Sequence, residues 1–444
     1  MSAQHERAAI EGFRAPKHIV LLSYEFTFSQ FSGNGIYARS IVKSLLALEC
    51  KVTVWCCRPE ASEGDNHLEP TEISEDSHKR LLVVSTLLQR GWRRLDDQSG
   101  WIEFVFGNLD DAQQAILEAS LRQSDIVCAV DWSGAAAYRS LSVLKEKLQI
   151  PPMLYLNFRV YSSGVSDPVR REWFDEMERT ALLSAKTVVG LSAGDVDSLA
   201  ALLKEGSGAG NGDKIRLLLP PLRQDMESLS HESPQNLLQR LPPAVSAIVS
   251  KNERQRPFLT CVVRQSPEKE AKRFVRFVEA AKEELTDLGY VVLLAGAAGD
   301  AVYAKEVKQG LVKAYPSAIV IRSFLPPSAL GAIFARTALN FHPCSYDAYG
   351  MTIIEAAAFG APSVIAKGEG VGAVALVGPS GCFQVEMPKD DEMPVESTEE
   401  VLSLLRSPPT LSEVAACAKE RALEWGEAAY GEKLLGIIEQ SVSR

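Results

Sequence analysis

The chain has 444 residues, and 47 Lys and Arg against 57 Asp and Glu leave a formal charge of −10. That length allows two or three domains at about 150 residues each, and a hydrophobic fraction of 46% is enough for full cores, which excludes disorder as the main state. The acidic balance argues against broad binding to nucleic acid or anionic membranes, which needs net basic surface; it leaves room for an anionic small ligand in a local basic pocket.

Residues 1–17 carry Glu6, Arg7, Glu11 and Arg14 without an apolar stretch, and are expected to form a flexible N-terminus without a targeting signal. A strand is predicted at 18–23. Gly33-Asn34-Gly35 then reads as a turn before a helix with Ile36, Tyr37, Ser40, Ile41, Leu45 and Leu48 on one stripe. A strand at 51–57 completes a βαβ unit. All-apolar strands alternating with helices predict a parallel sheet covered on both faces.

The alternation continues with strands at 81–85, 102–106, 126–130, 153–157, 187–191 and 215–219, and helices at 110–122, 169–183 and 195–203. Polar stretches at 60–76 and 205–213 read as surface loops. The composition changes over 223–257, which hold Pro234, Pro242 and Pro243, so a first domain is placed at 18–235 and a linker at 236–257. A second series follows over 258–425. Its strands are expected at 259–263, 291–296, 318–321, 338–341 and 363–366, and its helices at 271–288, 305–315, 330–336, 351–359 and 411–425. A loop is expected at 389–400 and a last helix at 428–441. The fold class is therefore α/β, two doubly wound Rossmann-like domains whose strands point their carboxyl ends at a ligand cleft.

The eight cysteines form no C-x-x-C pair and are expected to be buried free thiols in a reducing compartment. The six histidines show no metal-ligand spacing. No apolar run approaches the roughly 20 residues that span a bilayer. The expectation is a cytoplasmic protein without an integral membrane segment, and nucleic acid is not an expected partner.

The densest chemical signal runs from Asn340 to Pro362. A strand ends near His342, a short loop carries Asp347, and a helix starts near Gly350 and stops at Gly360-Ala361-Pro362. The first turn of such a helix presents free N–H groups and the positive end of its dipole, which suits a phosphate or a sugar hydroxyl. Glu355 interrupts Ile353, Ile354 and Ala356–Ala358, and a carboxylate on a mostly buried helix needs a partner. The bland reading makes Asp347 a helix cap and Glu355 a surface charge.

A second signal is Arg264-Gln265-Ser266-Pro267-Glu268-Lys269, where a strand ends and two cations follow at the first strand–helix turn of the second domain. Arg264 can grip two phosphate oxygens and Lys269 adds a point charge. The third is Gly33-Asn34-Gly35, which lets backbone approach a ligand but is not the G-x-G-x-x-G of a dinucleotide site. Asp195-Val196-Asp197 imitates a D-x-D metal site, but is better read as the acidic first turn of a helix.

Together these segments resemble the retaining nucleotide-sugar glycosyltransferases of family four, which have the GT-B fold. Their E-x7-E signature stands here as Asp347-x7-Glu355 with Tyr349-Gly350, and the Arg264–Lys269 stretch is similar to their R-x-S-P-E-K donor loop. Met177-Glu178 to Ser192 and Ile215 to Pro221 resemble two further family segments. Trp425 and the last helix resemble the segment that crosses back, so residues 426–444 are expected to pack on the first domain.

The resemblance implies a hexosyltransferase that moves a sugar from a nucleotide diphosphate sugar to a hydroxyl acceptor with retention, without a metal or other cofactor. It implies a donor-binding second domain and an acceptor-side first domain. Arg264 and Lys269 would hold the leaving diphosphate, Glu355 the ribose hydroxyls and Asp347 hydroxyls of the transferred sugar. Gly350, Met351 and Thr352 would offer backbone amides beside Tyr349, Gly33 and Gly35 would approach the donor, and Asp131 and Trp132 would lie on the acceptor side.

Two departures stand out: the first acid is Asp rather than Glu, and the loop Cys128–Ser133 lacks the histidines often found there. They feed a rival reading, a catalytically silent relative that binds a nucleotide sugar or a protein partner. A nucleotide-sugar epimerase on the same fold is a further rival.

Overall fold

The computed structural model describes residues 18–26, 33–59, 80–88, 103–105, 109–144, 149–165, 167–207, 212–243, 245–246, 256–368, 370–387 and 393–443. The flexible N-terminus expected at 1–17 and the loop expected at 60–76 lie outside them. The chain divides into two compact units, one of residues 1–191, 195–218 and 427–444 and the other of 192–194 and 219–426.

The first unit runs β1 (His18–Leu22), α1 (Gly33–Ala47), β2 (Lys51–Pro59), β3 (Leu81–Leu88), α2 (Asp111–Gln123), β4 (Ile126–Val130), α3 (Asp131–Leu144), β5 (Met153–Leu156), α4 (Pro168–Ser184), β6 (Thr187–Gly190), α5 (Ala193–Ser207) and β7 (Ile215–Leu217). Its seven strands are ordered β3-β2-β1-β4-β5-β6-β7, and every neighbouring pair is parallel. The order reverses between β1 and β4, which pair in register Leu21 to Cys128. Both strands are buried along their whole length, as the unbroken apolar runs require.

The second unit holds α6 (Gln224–Ser230), α7 (Pro234–Leu238), β8 (Phe258–Val262), α8 (Lys272–Asp287), β9 (Val291–Ala295), α9 (Ala301–Ala314), β10 (Ile319–Ile321), α10 (Pro327–Phe334), β11 (Thr337–Phe341), α11 (Met351–Ala358), β12 (Ser363–Ala366), α12 (Val374–Val377), β13 (Cys382–Val385), α13 (Val395–Leu405) and α14 (Pro408–Glu424). Six parallel strands are ordered β10-β9-β8-β11-β12-β13. Strand alternation sends Phe258 and Val262 into one core and Leu259 and Cys261 into the other, so this sheet has a packed layer on each face. On the second face Phe277 of α8 stacks on Phe341 of β11 with centroids 5.3 Å apart.

The last helix, α15 (Glu427–Ser443), belongs to the first unit. It lies against α1, where Tyr37 and Tyr430 share a hydrogen bond of 2.9 Å and Ser40 donates to Glu427 at 2.7 Å. Among the described residues no helix is long and apolar enough to cross a membrane. All eight cysteines are free, and seven are buried.

Several local expectations change. Residues 103–105 are helical rather than part of a strand; Phe104 packs on Trp55 at 5.1 Å, so tertiary packing overrides the local β-propensity. Gly33-Asn34-Gly35 forms the first turn of α1 instead of a separate turn. The loop expected at 205–213 begins as helix, since α5 runs to Ser207. The loop expected at 389–400 gives way to α13 from Val395. The units divide at 218/219, so 219–235 lies with the second unit rather than the first. Leu222, Met226, Leu229 and Leu237 share a core with Leu330 and Ile333, and apolar burial outweighs the Pro-rich linker composition around them.

Candidate functional site

In the second unit the strand order reverses between β8 and β11, and a crevice opens outside the carboxyl ends at such a switch point. The segment after β8 carries Arg264 and Lys269, and the segment after β11 carries His342, Cys344 and Asp347. Pro267–Lys269 makes one tight 3-10 turn that ends at Glu270.

Lys269 Nζ donates to Asp347 Oδ2 at 2.7 Å, and His342 Nε2 lies 3.3 Å from the same oxygen. Burial would raise the Asp347 carboxyl, but the Lys269 and His342 charges outweigh it and hold the group well below the usual carboxylate range. Burial would also lower His342; the neighbouring Cys344 sulfur and Asp347 carboxylate push it up to about 9 instead. Lys269 is raised as well, burial being outweighed chiefly by Asp347. The cluster thus reads as two cations on one carboxylate.

Arg264 Nη2 pairs with Glu268 Oε1 at 2.7 Å, with both side chains partly exposed. Such a surface pair is worth at most about 1 kcal/mol, so an incoming phosphate can take over the guanidinium.

The Asp347 backbone is pinned by 370–372: Asp347 N–H donates to the Gly370 carbonyl at 2.8 Å and Gly372 N–H to the Asp347 carbonyl at 3.1 Å. A Cβ at Gly370 would meet Ser345 O at 2.0 Å, and one at Gly372 would meet Ala348 O at 2.1 Å. The sequence reading missed this strap, although glycines at 368, 370 and 372 following the strand at 363–366 were its visible signal.

Gly350 caps α11 with φ +82. Met351 and Thr352 are half-buried on the first turn, where backbone N–H groups lack intrahelical partners. Tyr349 is placed in the core, and its carbonyl accepts Ala373 N–H at 2.5 Å. Glu355 is buried, and the partner it needs is Arg223, whose Nε lies 3.0 Å from Oε1. Burial raises Glu355 above the usual range, with Arg223 opposing the shift. Arg223 was not singled out from sequence; its only signal was the cation directly after Pro220-Pro221-Leu222.

The first unit has its own cluster at the β1/β4 reversal. Asn34, between Gly33 and Gly35, donates to Asp131 Oδ2 at 3.2 Å. Asp131 is fully buried with φ +63, and burial pushes its carboxyl to about 7. Trp132 packs edge-on against Trp173 at 5.2 Å. Asp195 and Asp197 lie in the first turns of α5.

Ligand-capable atoms of His342, Cys344 and Asp347 lie within 4.8 Å of one another. The Lys269 ammonium already supplies a cation to Asp347, and His342 would have to lose its proton before binding a metal. The donor set therefore fits an ion-pair cluster better than a metal centre.

Two parallel-sheet Rossmann-like units, of seven and six strands, give the chain the GT-B architecture of glycosyltransferases. The sequence matches no family model and no curated protein. Solved structures do match over nearly the whole length. A sucrose-phosphate synthase from Thermosynechococcus elongatus is 15% identical, with TM-score 0.68 over 96% of this chain and 98% of that one. HepE of Anabaena in complex with UDP and glucose is 15% identical, with TM-score 0.64 over 94% and 98%. The catalytic domain of starch synthase IV from Arabidopsis thaliana bound to ADP and acarbose is 13% identical, with TM-score 0.63 over 96% and 99%.

Proposed function

We propose that the protein is a retaining glycosyltransferase that moves a sugar from a nucleotide diphosphate sugar to a hydroxyl acceptor without a metal ion. The observation that carries this reading is the contact between Lys269 and Asp347 at the second unit's switch point, on the loop that leads into α11. The UDP and glucose bound to HepE and the ADP bound to the starch synthase support a donor of that class.

In this reading the bond between the sugar's anomeric carbon and the β-phosphate oxygen breaks as the acceptor oxygen attacks from the same face. The acceptor's proton passes to the departing phosphate oxygen. Arg264 and Lys269 stabilise the charge that grows on the diphosphate, so catalysis is positioning plus electrostatics. Amides of Gly350, Met351 and Thr352 receive the sugar or phosphate, Asp347 holds sugar hydroxyls, and Glu355 holds the ribose. In the first unit, Gly33 and Gly35 serve the donor and Asp131 and Trp132 the acceptor.

A thermal-shift panel of UDP, GDP and ADP sugars tests the reading, since a ligand at 100 times its Kd stabilises by about 2.7 kcal/mol. NMR of the product's anomeric proton then reads the stereochemistry. A stabilising donor that releases no nucleoside diphosphate, even slowly, would instead support the silent binder, and an altered sugar nucleotide formed without acceptor would support an epimerase.

A further inference from the structure

Glu270 follows Lys269 directly and stands in the left-handed region with φ +49, where a side chain crowds the backbone and glycine is the easier choice. Both oxygens of its carboxylate are engaged. Ser345 N–H donates to Oε2 at 2.5 Å and Ser345 Oγ to Oε1 at 3.1 Å. Arg273, which has no exposed surface, donates from Nη1 to Oε2 at 2.7 Å and to the Pro343 carbonyl at 2.9 Å. Between these, Cys344 Sγ donates to the Lys269 carbonyl at 3.5 Å. Residues 344 and 345 are thus fastened to the turn that carries Lys269, two residues before Asp347, and Pro343 is held by Arg273 of α8, which in turn grips Glu270.

We propose that Glu270 is a positioning residue: its carboxylate locks the 342–347 loop onto the Lys269 turn, so that Lys269 and Asp347 are already in register when the diphosphate leaves. The inference rests on the proposed transfer reaction. Preorganised charge needs no rearrangement during the reaction, and strain kept at one residue marks a place where its side chain is needed. Glycine would relax the backbone but drop the brace, so fold and turnover should respond differently to its removal.

The experiment uses the full chain with Glu270→Gly and Glu270→Gln. Melting temperature, kcat and KM are measured for the donor identified by thermal shift, and the Lys269 ammonium is titrated by ¹⁵N NMR, assigned through Lys269→Arg. Glu270→Gly is expected to keep its fold while kcat falls about 10- to 100-fold, the scale of a misplaced catalytic group, with KM changed far less. Glu270→Gln, which keeps one acceptor for Ser345, should recover part of kcat. The Lys269 titration should move down toward that of a free lysine in Glu270→Gly. Wild-type kcat together with an unmoved Lys269 titration would overturn the proposal. If Glu270→Gly fails to fold, the same measurements on Glu270→Gln decide. If the wild type transfers no sugar, the transfer reading fails alone, and the Lys269 titration still decides whether Glu270 positions the pair.

Discussion

Lys269 and Asp347 meet at 2.7 Å although 78 residues of chain separate them. One follows β8 and the other follows β11, adjacent strands on opposite sides of the order reversal. The contact gives the second unit a cation whose position is fixed before any ligand arrives. It also fixes the orientation of the Asp347 carboxylate.

We predict that Lys269→Ala lowers turnover by roughly 100-fold or more, the loss seen when one charge-stabilising donor is removed. Arg264→Ala should lose a similar factor. The two should differ in stability, because Lys269→Ala strips Asp347 of its ammonium while Arg264→Ala removes only a surface pair with Glu268. Nucleoside diphosphate release and thermal melts on both variants check this. Unchanged turnover in Lys269→Ala ends the assignment.

Under the proposed ribose role, Glu355→Gln should weaken donor binding at least ~10-fold, since a charge-assisted hydrogen bond is worth about 1.5–3 kcal/mol. Asp347→Asn should reduce turnover more than nucleoside diphosphate affinity if, as proposed, the carboxylate holds a hydroxyl of the transferred sugar. Asp347→Glu should lower turnover with the native donor, the longer acid being out of register with Lys269. Calorimetry with nucleoside diphosphate and full donor separates these outcomes. Donor binding by Glu355→Gln at the wild-type level would remove the ribose role.

Arg223→Ala leaves Glu355 buried without its cation. A buried pair broken on one side destabilises by about 3–5 kcal/mol. Burial already raises Glu355, so the loss should be full at neutral and alkaline pH and should shrink as acid protonates the carboxyl. The double variant Arg223→Ala/Glu355→Gln should recover part of it. Denaturant melts at two pH values are the check, and equal losses at both would contradict the buried-charge account.

The His342–Asp347 contact gives stability a defined pH dependence. His342 rises from 6.5 to about 9 on folding, so its contribution is complete below about 6.5 and is lost as pH climbs through about 9. Asp347, ordinarily at 3.8, is lowered, so its contribution is present above that value and is lost as acid protonates it. A melting-temperature profile should decline on the alkaline side, and His342→Gln should flatten that decline. An identical alkaline slope in His342→Gln would show that other groups produce it.

Activity is expected to survive chelation, because the Lys269 ammonium already supplies a cation against Asp347. The check is initial rate with and without EDTA. Complete loss restored by Mn²⁺ would count directly against a metal-free transfer.

Local pattern by itself determined that this chain builds two doubly wound sheets. Continuous apolar runs of strand length such as Ile126–Val130 and Val291–Ala295, bounded by turn signals, read as strands buried on both faces, and the helices between them show their stripes at 3.6-residue spacing. The spacing of Asp347 and Glu355, with seven residues between them, was also readable, since it spans one loop and one helix start. Short or mixed elements were not: β13 is only Cys382–Val385 with Gln384 inside it, and α13 hides behind the acidic stretch before Val395. The site's partners were beyond reach for a different reason. Arg223, at the start of α6, meets Glu355 of α11 because the two helices pack together, and Glu270 meets Ser345 across 75 residues because strand order brings their loops to one edge. Sequence periodicity records which face of each element is buried, whereas strand order is settled by the packing of all the elements at once, so only the tertiary structure could decide which loop each charged side chain would face.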